Sequence, residues 1–188
     1  LPLPNFAMLS LDQLKADVQA ALQQASAVLA QAAQIEPSAA ATLINQLDHA
    51  ENQLQQAWGI LSNLNATRNT PELRELYNQL LPELSRYYTE QGQNQSLYQH
   101  YVSLHKAADF AQRPVAEQSA IQLALRDFRL SGIALDGDAK QRFAVISEQL
   151  SQRSSQFSDH LLDATQAFVL PLDETQLTGL PVSSVALL

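Results

Sequence analysis

The chain is 188 residues long, carries 11 Lys and Arg against 19 Asp and Glu for a formal charge of −8, and has no cysteine. That excludes a disulfide framework, a thiolate metal site and a cysteine nucleophile, and its five glycines, no two adjacent, exclude a glycine-rich phosphate loop. The acidic balance speaks against sequence-independent nucleic-acid binding, while 46% hydrophobic residues, with Leu, Ala and Gln filling 83 positions, favour an all-helical fold over disorder.

A first helix is predicted from Ser10, an N-cap with Gln13 three residues on in capping-box spacing. Its apolar face is Leu14, Val18, Ala21, Leu22, Ala25, Leu29 and Ala32. Pro37 and Ser38 break and restart the pattern. In the second helix Leu43, Leu47, Ala50, Leu54, Ala57, Leu61 and Leu64 alternate steps of four and three. Such a three-heptad seam suits a neighbouring helix crossing at a shallow angle. Its flanks are Gln and Asn rather than Glu and Lys, so the seam reads as packing within the chain.

Thr70-Pro71-Glu72 is a third start signal: a capping hydroxyl, a proline at the first helical position and an acid at the positive end of the dipole. Leu73, Leu76, Leu80, Leu84 and Tyr87 continue the face through Pro82, which predicts a kink rather than a stop. Asn94 caps a helix bearing Leu97, Tyr101, Leu104 and Ala108. Pro114 opens the next one, which closes after Ser131 on a left-handed Gly132. Asp138 is expected to cap a long last helix with Phe143, Ile146, Leu150, Phe157, Leu161, Ala164 and Phe168 on one side.

Beyond it, Phe168-Val169-Leu170-Pro171-Leu172 suits a short strand, and Leu180-Pro181-Val182-Ser183-Ser184 the opening of another helix. The expected fold is all-α, about six mostly antiparallel, partly kinked helices with a short strand near the C-terminus. A helical domain over 1–165 would be followed by the start of another segment over 166–188. The chain begins Leu1-Pro2-Leu3-Pro4 without Met and stops at the apolar run Val185-Ala186-Leu187-Leu188, so both ends read as cuts in a longer protein.

Chemistry is sparse. The four histidines, His49, His100, His105 and His160, form no H-E-x-x-H. His100 and His105, five apart, are rotated about 140° around a helix, and His160 with Asp163 lacks a third ligand in register. Asp136-Gly137-Asp138 reads as a turn and cap rather than a calcium loop. Glu72 and Glu75 read as a solvated face, and Arg126-Asp127 with Arg129 as an ion-pair cluster near a helix end. Tyr87, Tyr88, Tyr98 and Tyr101 bunch in the middle, as core or boundary packing or as a peptide-contacting surface. No catalytic, cofactor-binding or metal residue is assigned. No stretch reaches the roughly 18 apolar residues of a membrane span, and no secretory signal opens the chain.

Certain strings carry a resemblance. Asn69-Thr70-Pro71-Glu72-Leu73-Arg74-Glu75-Leu76-Tyr77, Leu81-Pro82-Glu83-Leu84-Ser85, Ala124-Leu125-Arg126-Asp127-Phe128-Arg129-Leu130-Ser131-Gly132-Ile133-Ala134-Leu135, Leu162-Asp163-Ala164-Thr165 and Leu177-Thr178-Gly179-Leu180-Pro181 occur in this order. Together they resemble the N-terminal region of the thimet oligopeptidase family of zinc metallopeptidases. The resemblance implies that this helical part walls one side of a deep channel admitting short peptides, with zinc and its H-E-x-x-H on the other half.

On that reading the present chain binds no zinc and cleaves nothing, while the longer parent is a monomeric, cytoplasmic zinc enzyme. Its partners would be short peptides and the missing catalytic domain, with no nucleic acid and no membrane. A channel wall without its partner should expose apolar side chains, expected around 168–188. The −8 charge would favour basic peptides. The competing reading is a free-standing helical adaptor or scaffold that binds a partner helix through the heptad seam.

Overall fold

The computed structural model describes residues 9–173 and 175–186. Among them are seven α-helices: α1 (Leu11–Ala30), α2 (Ala40–Thr67), α3 (Pro71–Gly92), α4 (Gln95–Lys106), α5 (Val115–Leu130), α6 (Gly137–Ala167) and α7 (Val182–Val185). Short 3-10 turns at Gln31–Ala33, Pro37–Ala39 and Phe110–Gln112 fill the corners. The chain divides into two compact units, Leu1–Gln152 and Arg153–Leu188, the division falling inside α6.

Three helices start where their caps predict. The Gln13 amide donates to Ser10 Oγ at 3.1 Å, the Leu73 amide to Thr70 Oγ1 at 3.4 Å and the Leu97 amide to Asn94 Oδ1 at 2.8 Å. The first box is only half made, because the Gln13 side chain turns forward to Asp17 Oδ1 at 2.7 Å instead of back to the cap. In the first turn of α3 the Glu72 carboxyl is held below its ordinary range by its own backbone N–H and then by the Thr70 hydroxyl. The last long helix begins at Gly137, two residues earlier than a cap at Asp138 implies, which places Asp138 in its first turn. α3 runs unbroken through Pro82.

The predicted faces form the core of the first unit. One cluster joins Ala21, Ala25 and Leu29 of α1 to Leu43, Leu47, Ala50 and Leu54 of α2, then to Leu84 and Tyr87 of α3, Leu97 of α4 and Phe128 of α5. A second, toward the start of α1, gathers Leu14, Val18, Leu61, Leu73, Leu76 and Leu80. Trp58 packs at the fringe of both and lies 4.7 Å, ring to ring, from Tyr77. Five of the seven seam residues of α2 are buried against α1 and α3, which leaves no free seam for a partner helix.

α4 and α5 form an antiparallel hairpin. Gln93 Nε2 donates to the Ser131 carbonyl at 3.1 Å and Gln95 Nε2 to the Ile133 carbonyl at 2.6 Å, so the start of α4 lies beside the end of α5. That end is a Schellman motif. The Ile133 amide bonds the Phe128 carbonyl at 3.0 Å, the Gly132 amide bonds the Arg129 carbonyl at 3.2 Å, and Gly132 sits at φ +79°. Ile133 and Phe128 are both buried, the hydrophobic contact that accompanies the motif.

Two glycines are required here. A Cβ on Gly132 would lie 2.7 Å from Leu135 Cδ1 at a left-handed φ, and one on Gly92 would lie 2.5 Å from Ser131 Cβ. Gly132→Ala is expected to cost about 1–2 kcal/mol from the left-handed backbone alone. Gly92→Ala is expected to cost about 1–3 kcal/mol, since a Cβ cannot move without its backbone. Urea unfolding curves of each variant check both values.

The strand predicted at Phe168-Val169-Leu170-Pro171-Leu172 is not there: these residues have no regular structure, and there is no strand among the described residues. A strand is stable only when its N–H and C=O groups pair with a neighbour, and Pro171 also lacks a donor. A short apolar run with one β-branched residue, Val169, does not supply that pairing. All five side chains are exposed. In the second unit Asp173 Oδ1 accepts from the Thr175 amide and hydroxyl, which lowers its carboxyl, and α7 adds one short turn.

The last helix differs from its prediction in another way. No residue of α6 is buried. Val145, Ile146 and Leu150 in the first unit are exposed, as are Phe157, Leu161, Phe168, Val169, Leu170, Leu172, Leu180 and Val182 in the second.

Candidate functional site

Two adjoining clefts open among α2, α3, α4 and α5, of about 490 and about 320 Å³, with Gln91 and Tyr101 lining both. Asp48 and Glu51 of α2 and Glu117 of α5 bring carboxylates to the first, over an aliphatic floor that includes Ile44, Leu47 and Leu104. Tyr88, Asp127, Phe128 and Ser131 line the second. The i, i+3 and i, i+4 spacing of Asp48 and Glu51, and of Gln91 with Tyr87 and Tyr88, sets these groups on facing sides of α2 and α3.

Glu51 is the hub. Its Oε1 accepts a hydrogen bond from the Tyr87 hydroxyl at 2.7 Å and another from the Gln91 amide. Burial pushes the Glu51 carboxyl up, and nearby Asp48 adds to that, against the lowering effect of the two hydrogen bonds. Burial likewise raises the phenols of Tyr87 and Tyr88, and takes Tyr101 up to about 12, with the Glu51 charge adding to each. The tyrosines are therefore neutral donors at physiological pH. The cluster offers carboxylate acceptors beside aromatic edges, an arrangement for holding donors and cations.

Of the four bunched tyrosines, Tyr87 is buried and Tyr98 and Tyr101 are half-buried. Tyr98 and Tyr101 each meet Phe128 with ring centroids 5.6 Å apart. Packing and lining are thus combined in the same residues. Glu51, which organises them, carries no sequence motif; only its helical register beside the seam could have marked it.

Three of the four histidines meet a partner within the first unit. His100 is buried, its Nε2 2.9 Å from the Ala32 carbonyl, and ties α4 to the turn after α1. His49 faces Gln53 at 3.3 Å, and His105 packs 4.7 Å from the Phe110 ring. Among the described residues no three His, Asp or Glu side chains gather so as to hold a metal ion. Arg126 does pair with Asp127, through Nε at 2.9 Å and Nη2 at 2.8 Å, both side chains being more than half exposed. No helix of the described residues is long and apolar enough to cross a membrane.

A third cleft, of about 710 Å³, lies within the first unit between the end of α3, the start of α4 and the first turns of α6. Its charges are mixed, with Arg86 and Lys140 beside Glu90 and Glu148. Lys140 Nζ donates to the Gln93 carbonyl at 3.3 Å, and the Ser85 and Ser151 hydroxyls meet at 3.2 Å.

The family model described as neurolysin/thimet oligopeptidase, N-terminal domain, matches residues 12–140. Oligopeptidase A of Haemophilus influenzae is 36% identical over 184 residues, covering 97% of this chain and 27% of that protein. Oligopeptidase A of Salmonella typhimurium is 41% identical, and that of Escherichia coli 40% identical, each over 145 residues, 77% of this chain and 21% of the relative. The chain thus spans about a quarter of the length of the curated relatives it matches.

Proposed function

Because the chain belongs to the neurolysin/thimet oligopeptidase N-terminal domain family, we propose that it is the non-catalytic helical domain of an oligopeptidase A-like zinc metalloendopeptidase. In that protein it forms one wall of the channel in which short peptides are cleaved. The parent acts as a monomer in the cytoplasm, and the remaining three-quarters of its length supplies the chemistry.

One observation carries this reading. Twelve large apolar side chains along α6 and the described residues after it stand in solvent, whereas α1 to α5 each bury an apolar face. Isolated exposed apolar residues are ordinary, but a run of this kind marks a surface that another body covers. The covering body is the catalytic part of the same polypeptide, packed on Val145, Ile146 and Leu150 of the first unit and, separately, on Phe157, Leu161, Phe168 and Val169 of the second. The tyrosine-lined clefts then supply donors and acceptors to a peptide backbone.

Zinc does not fit this chain's residues. It has no cysteine, its described histidines are engaged or dispersed, and no described cluster offers three ligands. No step is therefore assigned to a metal here. The experiment is direct: the purified 188-residue chain, assayed with a quenched fluorogenic peptide and for zinc after dialysis, is expected to show no hydrolysis and no stoichiometric metal. Turnover, or one zinc per chain, would overturn the assignment. In the full-length reading frame, Leu150→Glu with Phe157→Glu is expected to reduce kcat/KM at least about tenfold by weakening the covered surface, with zinc content unchanged.

A further inference from the structure

The α4–α5 hairpin has two sides of opposite charge, and the acidic clefts occupy only one of them. On the other side Tyr98, Val102, His105 and Lys106 of α4 face Gln122, Leu125, Arg126 and Arg129 of α5 across a groove of about 480 Å³. The spacings are those of single helical stripes, i, i+4, i+7 and i+8 on α4 and i, i+3, i+4 and i+7 on α5. No carboxylate lines it. A chain with 11 basic residues and a net charge of −8 brings three of them, and a histidine, to this one concavity.

Helix dipoles explain part of this. His105 and Lys106 lie in the last turn of α4 and Arg129 in the last turn of α5, where cations are favoured. Because the hairpin is antiparallel, however, those two ends lie at opposite ends of the groove. Arg126 is one turn further back than its dipole requires, and its partner Asp127 leaves Nη1 unengaged by that pair. Between the charged ends the floor is apolar, Val102 and Leu125, while Tyr98 lies at the Arg129 end and Gln122 at the Lys106 end.

From these features we propose that the α4–α5 groove binds a short acidic peptide segment in extended form. Its length follows from register. Tyr98 to Lys106 spans eight residues, about 12 Å at 1.5 Å per residue, which three to four extended peptide residues match. An oxyanion the size of phosphate reaches only one end. A peptide with carboxylates at both ends reaches Lys106 with one and Arg126 and Arg129 with the other, while Gln122, at the Lys106 end, meets its backbone there. The groove lies wholly within residues 98–129, so the proposal does not depend on the reading of the whole protein as a peptidase.

The test uses the 188-residue chain and three probes: acetylated, amidated tetraglutamate, the matching tetralysine, and inorganic phosphate. In nitrogen-15 correlation spectra, tetraglutamate is expected to give saturable shifts confined to residues 98–106 and 122–130. Raising NaCl from about 20 to about 200 mM should weaken them severalfold, as expected for exposed charges. Arg126→Glu with Arg129→Glu should reduce affinity at least about tenfold while the circular dichroism spectrum stays unchanged. Should that variant not fold, Lys106→Glu reads the other end alone and is expected to weaken binding severalfold.

Equal saturation by phosphate at the same concentrations would overturn the peptide assignment in favour of a simple anion site. Equal shifts with tetralysine, no shift with tetraglutamate, or unaltered affinity in the charge-reversed chain would overturn it altogether. None of these outcomes bears on the absence of hydrolysis expected above.

Discussion

Leu54→Ala is expected to destabilise the chain by about 3–5 kcal/mol, the upper part of the range for a buried leucine truncated to alanine. Leu54 is fully buried in the cluster where α1, α2, α3, α4 and α5 meet. Removing its isobutyl end gives up transfer free energy and leaves a cavity between helices whose neighbouring side chains are themselves leucines and alanines in place. Helix propensity moves the other way by only a few tenths of a kcal/mol and does not decide the outcome. The check is urea unfolding followed by the single tryptophan, Trp58, which packs against this same cluster. Leu54→Met, which conserves volume, should lose less than about 1.5 kcal/mol.

Tyr87→Phe is expected to cost about 1–3 kcal/mol, by removing the hydroxyl that donates to Glu51 and leaving a half-buried carboxylate short of a partner. Glu51→Gln tests the same hub from the other side. The Glu51 carboxyl is raised above its ordinary 4.5, chiefly by burial, so the folded chain binds that proton more tightly than the unfolded one. Between 4.5 and the raised value the native state holds more protons than the unfolded state, and stability therefore falls as pH rises through that window.

The Glu51 contribution is thus greatest below the unfolded pKa and is lost at neutral pH. Glu51→Gln keeps an acceptor, loses the charge and should be at least as stable as the parent at pH 7. Acids with lowered values, such as Asp173, have the opposite dependence. The informative quantity is accordingly the difference between parent and variant across pH 4 to 7, which should shrink as pH falls. A variant that loses stability at pH 7 while gaining nothing relative to the parent at higher pH would show that charge on Glu51 is favourable.

How much of this was legible beforehand depends on range. Ser10, Thr70 and Asn94 could be read because a cap needs only a hydroxyl or amide and the next turn of backbone. The faces of α1, α2 and α3 were legible because period 3.6 is a local property. The end at Gly132 was visible for the same reason. What failed required knowledge of a neighbour. Phe168 through Leu172 has the composition of a strand, but pairing is not written in composition. His100 carries no sequence mark of the contact that the turn at Ala32 makes when it folds against it.

The candidate site was less legible than the fold. Glu51 becomes a hub only when α3 places Tyr87 and Gln91 over it, 36 and 40 residues downstream. Arg126, Asp127 and Arg129 were recognisable as a charged cluster, and the pair between the first two formed. That Lys106 and His105 share their groove depends on the hairpin turning between Ala107 and Pro114. The family resemblance, by contrast, rested on strings that the match over residues 12–140 in large part covers.

The order of packing in the first unit has a kinetic consequence. α1 lies on α2, α2 on α3 and α4 on α5, so most of the core is made by helices adjacent in the chain. Short loops close at little entropic expense, and such low contact order places folding in the microsecond to millisecond range. A ribosome adds residues far more slowly, at about 5–20 per second. Every buried residue of the two core clusters lies between Leu14 and Ile133. This unit can therefore finish folding while synthesis continues, and present a completed helical surface for whatever emerges after it.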